Sequence, residues 1–354
     1  RDFAGPSRSR TRRGVLLAGG CEAPRRRRIG GDCAGFAMAA ARATAAALRA
    51  DSAAVVPALD DVLRSCLDAL ERASPPLGGK DATAAAAALM RLLSAAVEVC
   101  GGWNWSGGWE CMAASGDAAE PEAAQARVVS ALRRMGSSAI ARSLESPAVA
   151  DEVPDLSMAV CAVDVSFARF CVPALPQRLA AEAAPEMIGG ALRRAAACCA
   201  CNHKGAALAG LTSCSAFIKL GDSSSEAARG AVLSHGMVVA WGLLGTLLGP
   251  SPLSRVHKVA SVLGELVSLV AAAVGSPDSA ASTVRSWLSD AMDSVPRCRL
   301  LPGERSAALE EWGPLLAAIA LVSLRRPCPD TGADGDGRNV QRLKRALRAF
   351  VERR

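Results

Sequence analysis

Not one tyrosine occurs among the 354 residues, aromatic side chains make up only 3%, and β-branched residues are sparse beside Ala, Leu and Arg. Strands are built largely from β-branched and aromatic residues, and no stretch alternates as a half-buried strand does, so a β-rich fold is excluded. What remains is a helix-forming composition, and the expected fold class is all-α. Histidine is almost missing as well, with only His203, His235 and His257. There is no GxSxG elbow, no HExxH helix and no Gly-rich phosphate loop, so neither a nucleophile with its base nor a metal centre can be assembled. The chain is expected not to be an enzyme, with no catalytic, cofactor-binding or metal-binding residue and no cofactor. Long apolar runs are also wanting. The longest, Gly236 to Gly249, is about 14 residues and stops at Gly-Pro-Ser-Pro. A helix needs about 20 apolar residues to cross a bilayer, so no membrane span is expected.

Hydrophobic residues are plentiful at 51%, enough for a sizeable core and incompatible with a disordered chain. The net charge of +7 is unevenly spread. Residues 1–35 carry nine Arg against three acids, residues 338–354 seven Lys and Arg against Glu352, and the body between them sums to −5. Phosphate backbones are bound by basic residues clustered on a folded face, so a mildly acidic body with basic ends implies no direct nucleic-acid partner. Thirteen Cys, an odd number, lie mostly in apolar helical stretches, as Cys66, Cys161 and Cys171 do. Free thiols there act as small hydrophobes, and the pattern suits a reducing compartment.

Two domains are expected. Residues 1–35 form an Arg-rich leader in which RSRTRRG and PRRRRIGG surround a short VLLAGG, with nothing periodic in it. It is read as disordered or spurious, with a transit peptide, a basic nuclear signal and a misplaced gene start as its competing explanations. From 36 to 354 helical segments follow one another: 36–50, 51–73, 81–100, 121–135, 155–170, 184–201, 205–219, 224–248, 252–274, 278–294, 304–325 and 338–353. The clearest runs from Pro252 to Val274, where Leu253, Val256, Val259, Leu263, Leu266, Val270 and Val274 form one apolar face. Ser251 before Pro252 and Ser276 before Pro277 read as N-caps with Pro at the first helical position, and Ser223-Ser224-Ser225-Glu226 as a capping box. About a dozen helices joined by short loops, with no strict heptad, suggest an α-solenoid of stacked antiparallel helix pairs of the HEAT or armadillo kind, with an irregular bundle as its alternative.

Several stretches mimic chemistry. Cys198, Cys199, Cys201 and His203 lie within six residues, yet zinc wants two short pairs separated by a loop and no second pair follows, so the stretch reads as a Cys-rich helix end. CGGWNWSGGWEC at 100–111 sets Trp103, Trp105 and Trp109 in a Gly-rich loop, read as packing its own rings rather than presenting a binding surface. PCPDTGADGDGRNVQ at 327–341 contains the DTGAD of an aspartic protease, which needs two Asp sharing a proton after an apolar strand, but Arg325-Arg326-Pro327-Cys328-Pro329 precedes it and only 20 residues follow Asp334. As a calcium loop it has Gly332 and Gln341 where carboxylates are needed. It reads as a solvated turn before a terminal amphipathic helix packed by Val340, Leu343, Leu347 and Phe350.

From residue 233 the chain resembles a known family. His235-Gly236 with Val238-Val239 and Leu243-Leu244, the loop Pro250-Ser251-Pro252, Val259-Ala260-Ser261-Val262-Leu263-Gly264-Glu265, Arg285-Ser286-Trp287-Leu288 running to Val295-Pro296, and Arg345-Ala346-Leu347-Arg348-Ala349-Phe350 follow in order. They are similar to the C-terminal helices of importin-β family receptors (karyopherins), in particular the SR-protein transportin branch. The resemblance covers 233–354 and consists mostly of packing residues. It implies a HEAT-repeat fragment of a nuclear transport receptor that binds protein cargo on an extended surface and shuttles between cytoplasm and nucleus. It also implies the GTPase Ran as a partner of a longer chain, since the Ran-binding region of such receptors lies toward their N-terminus. The acidic body suits basic cargo. A helical-repeat scaffold unrelated to nuclear transport is the competing expectation.

Overall fold

The computed structural model describes residues 39–47, parts of 61–68, 79–101, 119–171, 177–223, 226–250, 252–295, 298, 300–325 and 334–353. The Arg-rich leader, the three-Trp loop, Ser251, Ser224 and Ser225 of the Ser223–Glu226 capping box and the stretch from Arg326 to Ala333 fall outside the described residues. Among the described residues every regular element is helical and no strand occurs, in agreement with the all-α expectation.

From residue 79 the helices are α1 (Gly79–Gly101), α2 (Ala119–Ser137), α3 (Ala139–Ser143), α4 (Pro147–Glu152), α5 (Pro154–Ser166), α6 (Gln177–Ala200), α7 (Lys204–Ser223), α8 (Glu226–Ser234), α9 (Gly236–Leu247), α10 (Pro252–Val274), α11 (Pro277–Ser294), α12 (Pro302–Leu324) and α13 (Asp334–Glu352). A π-turn over Phe167–Cys171 closes α5. Starts follow local chemistry: Pro occupies the first helical position of α4, α5, α11 and α12, where its missing N–H costs nothing. The Ser276 hydroxyl accepts from the Ser279 N–H at 3.4 Å, as expected of an N-cap.

Two rows can be followed through the packing. In one, α1, α5, α7, α10 and α13 touch in that order; in the other, α2, α6, α9, α11 and α12 do. Across the rows α6 packs on α7, α9 on α10 and α12 on α13, while short α8 leans on α6 and α7. The alternation slips once, because α11 and α12 are consecutive yet share a row.

Three expectations need correction. The segment 224–248 is not one helix: it bends by 57° at His235 into α8 and α9. At the bend a Cβ on Gly236 would lie 2.3 Å from the Trp287 ring, so the backbone turns where that ring enters. Helix α10 is buried on more than one face, for Val262, Val267 and Leu269 are as enclosed as Val259 and Leu266, whereas Leu253 and Val274 at its ends are exposed. Its neighbours on nearly every side (α7, α9, α11, α12 and α13) are the reason.

The third concerns membranes. The expectation that no segment could span a bilayer is overturned, because α10 and α12, each 23 residues, are long and apolar enough by length and composition, and the bent pair α8–α9 adds a third candidate. Neither helix contains an unbroken apolar run of that length. In each helix Ser, Gly and a few charges are spread along an otherwise apolar segment, and the average over the span is what governs transfer. Neighbours cover 61% of the apolar window of α10 but only 28% of that of α12. Leu321 and Leu324 of α12 accordingly face outward.

Candidate binding cleft

At one end of the array the C-terminus of α9, the first turn of α10, the first half of α12 and the last turn of α13 enclose a cleft of about 750 Å³. The floor is apolar. Phe350 is buried there, its ring 5.1 Å from that of Trp312 in an edge-on arrangement, and Leu247 and Ala308 lie beside it. Edge-on pairs place the positive ring edge on the negative face, so this contact fixes α13 on α12 and sets the depth of the cleft.

The polar side chains of the lining are Glu304, Glu311 and Arg353. Each is already engaged. The Glu304 carboxylate accepts the Leu301 N–H at 2.8 Å and so caps α12, while Arg353 Nη2 reaches Glu311 Oε2 at 2.9 Å and ties the end of α13 to α12. Both Arg353 and Glu311 are substantially exposed, so this pair contributes little to stability and mainly orients the rim. Leu253 and Leu301, next in sequence to the lining residues Pro252 and Leu300, are the two most exposed large apolar side chains among the described residues, at 52% and 68%. An apolar floor, a short charged rim and two leucines held out in water can seat the side chains of another molecule by contact.

The Cys/His cluster lies elsewhere, at the end of α6. His203 is a cap: its Nδ1 accepts the Ala206 N–H at 3.2 Å at the start of α7. Asp151 of α4 fixes the turn, accepting the backbone N–H groups of Asn202 and His203 at 2.6 and 2.8 Å and the Asn202 amide at 2.6 Å. Cys198, Cys199 and Cys201 are all buried. Burial pushes the Cys201 thiol up to about 12, with the nearby Asp151 charge adding to it, and burial likewise holds Cys199 well above the ordinary thiol range. Among the described residues no three His, Cys, Asp or Glu side chains converge as a metal ion would require. The sequence grouped Cys198 with its neighbours along the chain. The structure instead sets it against Cys161 of α5, Sγ to Sγ 3.7 Å, a contact that the separation of 37 positions hid.

The apparent calcium site also changes character. Asp334, Gly335 and Asp336 form the first turn of α13, and a helical backbone is not the loop such a site needs. The first residues of the DTGAD motif lie outside the described residues.

The residues carrying the family resemblance come together as packing contacts. Besides Gly236 against Trp287, Val259, Val262, Leu263 and Leu288 are buried. Glu265 accepts from Ser215 at 2.6 Å and meets Lys219 at 3.1 Å, tying α10 to α7. Neither family models nor curated proteins nor solved structures yield a match to this chain.

Proposed function

We propose that the chain works by binding another polypeptide along a solenoid of stacked helix pairs, as part of a nuclear transport receptor of the importin-β type. The observation that carries this reading is the pair of helix rows ending in an open apolar cleft. Row-wise stacking buries a continuous core while leaving long surfaces for a partner, which is how helical-repeat proteins bind. The resemblance over 233–354 supports the receptor assignment, since its residues form the α8–α13 packing around that cleft. The occupant of the cleft is a segment of a partner protein that inserts apolar side chains above Phe350 and Leu247 and covers Leu253 and Leu301.

Two measurements test this. A photo-reactive residue at position 301 would cross-link to the bound polypeptide, and Leu253→Ser with Leu301→Ser would weaken capture about tenfold or more, given the area of two leucines returned to water. Because both side chains are exposed, the double variant should melt with the parent. Unchanged binding in a normally folded double variant would remove the cleft from the mechanism. For the transport assignment, the chain fused to a reporter too large to diffuse through nuclear pores should enter the nuclei of permeabilised cells. Exclusion of a folded fusion would overturn it.

A further inference from the structure

Beneath short α4 lies a small cluster distinct from the main core and rich in sulfur: Cys161, Cys198 and Cys201, with Ala150, Ala206 and Ala207, and Met158 partly buried at its edge. Cys161 and Cys198 come from different helices, α5 and α6, with their sulfurs 3.7 Å apart and both free. A disulfide needs sulfurs about 2.05 Å apart, so the two side chains must close the remaining gap on oxidation. We infer that Cys161 and Cys198 form a redox-modification site: a dithiol that a hydroperoxide converts into a disulfide stapling α5 to α6.

The Cys161 S–H donates to Cys198 Sγ, and the first step is assigned to Cys198. Its thiolate attacks a peroxide oxygen; an S–O bond forms, the O–O bond breaks, and the departing oxygen leaves as water after taking a proton. Cys161, once deprotonated, attacks the resulting sulfenic sulfur; the S–S bond forms, the S–O bond breaks, and hydroxide takes a proton and leaves. Two thiols and one hydrogen peroxide thus give one disulfide and two waters. The hydrogen bond to Cys198, together with burial, holds Cys161 well above the ordinary thiol range, so the second step is slow and quickens as pH rises. The cover is local. Ala150 of α4 lies in the sulfur cluster, and α4 is tied down by the three hydrogen bonds that Asp151 accepts from Asn202 and His203.

The test is to treat the full chain with hydrogen peroxide under native conditions, block remaining thiols, and map linked peptides by mass spectrometry. The expected product is a Cys161–Cys198 peptide pair lighter by two hydrogens, formed with the loss of two titratable thiols and reversed by dithiothreitol, with the oxidised chain melting higher. Cys161→Ser and Cys198→Ser should each abolish that product, and Cys201→Ser should keep it. Asp151→Ala, which frees the cover and also removes a charge beside Cys201, should form it several-fold faster, and should still do so in the Cys201→Ser background. Linkage of Cys198 to Cys201 or of Cys199 to Cys214 as the main product, or no thiol loss until the chain unfolds, would overturn the proposal.

Discussion

Asp164 and Arg194 meet in the interior between α5 and α6, both almost wholly excluded from solvent, with Arg194 Nη2 at 2.7 Å and Nε at 3.3 Å from the two carboxylate oxygens. A buried fork of this kind gains little over a well-packed apolar pair, yet losing one partner is costly. Arg194→Met is therefore expected to lower stability by about 3–5 kcal/mol at neutral pH, while Asp164→Leu combined with Arg194→Met should cost far less. Urea titrations of the single and double variants measure this. Burial lifts the Asp164 carboxyl above its usual range, and Arg194 opposes that lift. A carboxyl whose folded value is raised supports the native state most below its unfolded value and loses that support as pH rises through the folded one. Removing Arg194 enlarges the lift, so the deficit of Arg194→Met should shrink on acidification from about pH 7 to about pH 4. A deficit that does not change with pH would contradict the buried-carboxylate account. Neither partner stands out in the sequence, where the pair is separated by 30 positions of ordinary helix.

Between elements, close approach is set by residues that the sequence presents as gaps in an apolar run. Helix α9 crosses α6 so tightly that a Cβ on Gly242 would lie 2.7 Å from the Ala196 Cα, and one on Gly245 would lie 2.6 Å from the Ala200 Cβ. Gly242→Ala should therefore push the helices apart and cost about 1–3 kcal/mol, despite alanine's better helix propensity. Gly230 in α8, which has nothing within 4 Å of its would-be Cβ, gives the opposite sign: Gly230→Ala should stabilise by about 0.5–1 kcal/mol. Thermal melts of the two variants should bracket the parent, and the same sign for both would contradict this packing. Helix identity and most boundaries were readable because Ser–Pro and Gly breaks punctuate the chain. Three features were not. The segment expected at 184–201 begins at Gln177, and the helix carries Pro185 in its interior. The five- and six-residue helices α3 and α4 are too short to show a period. The break at His235 depends on a ring from α11 that no local pattern announces. The cleft was illegible for the same reason, since its lining comes from four elements whose apolar residues read as ordinary core.

In the molecule as a whole, a row-wise arrangement predicts that damage stays local, because each helix is supported chiefly by its neighbours along and across the rows. Trp312→Ala, which empties a fully buried site in α12, should cost about 3–5 kcal/mol and lower amide-exchange protection in α10 to α13 while leaving α1 and α5 protected. Equal loss of protection in α1 and α5 would indicate a single cooperative unit and contradict the proposed solenoid. The same tryptophan gives the chain an optical handle. With no tyrosine to contribute, ultraviolet emission comes from indole rings alone. Among the described residues, Trp241 and Trp287 are partly open to solvent, whereas Trp312 is sealed, with no acceptor for its ring N–H and the Phe350 edge against it. An indole held dry in this way emits toward the blue, so lifting α13 from α12 would show as a red shift from one ring, a built-in fluorescence signal for the state of the cleft floor.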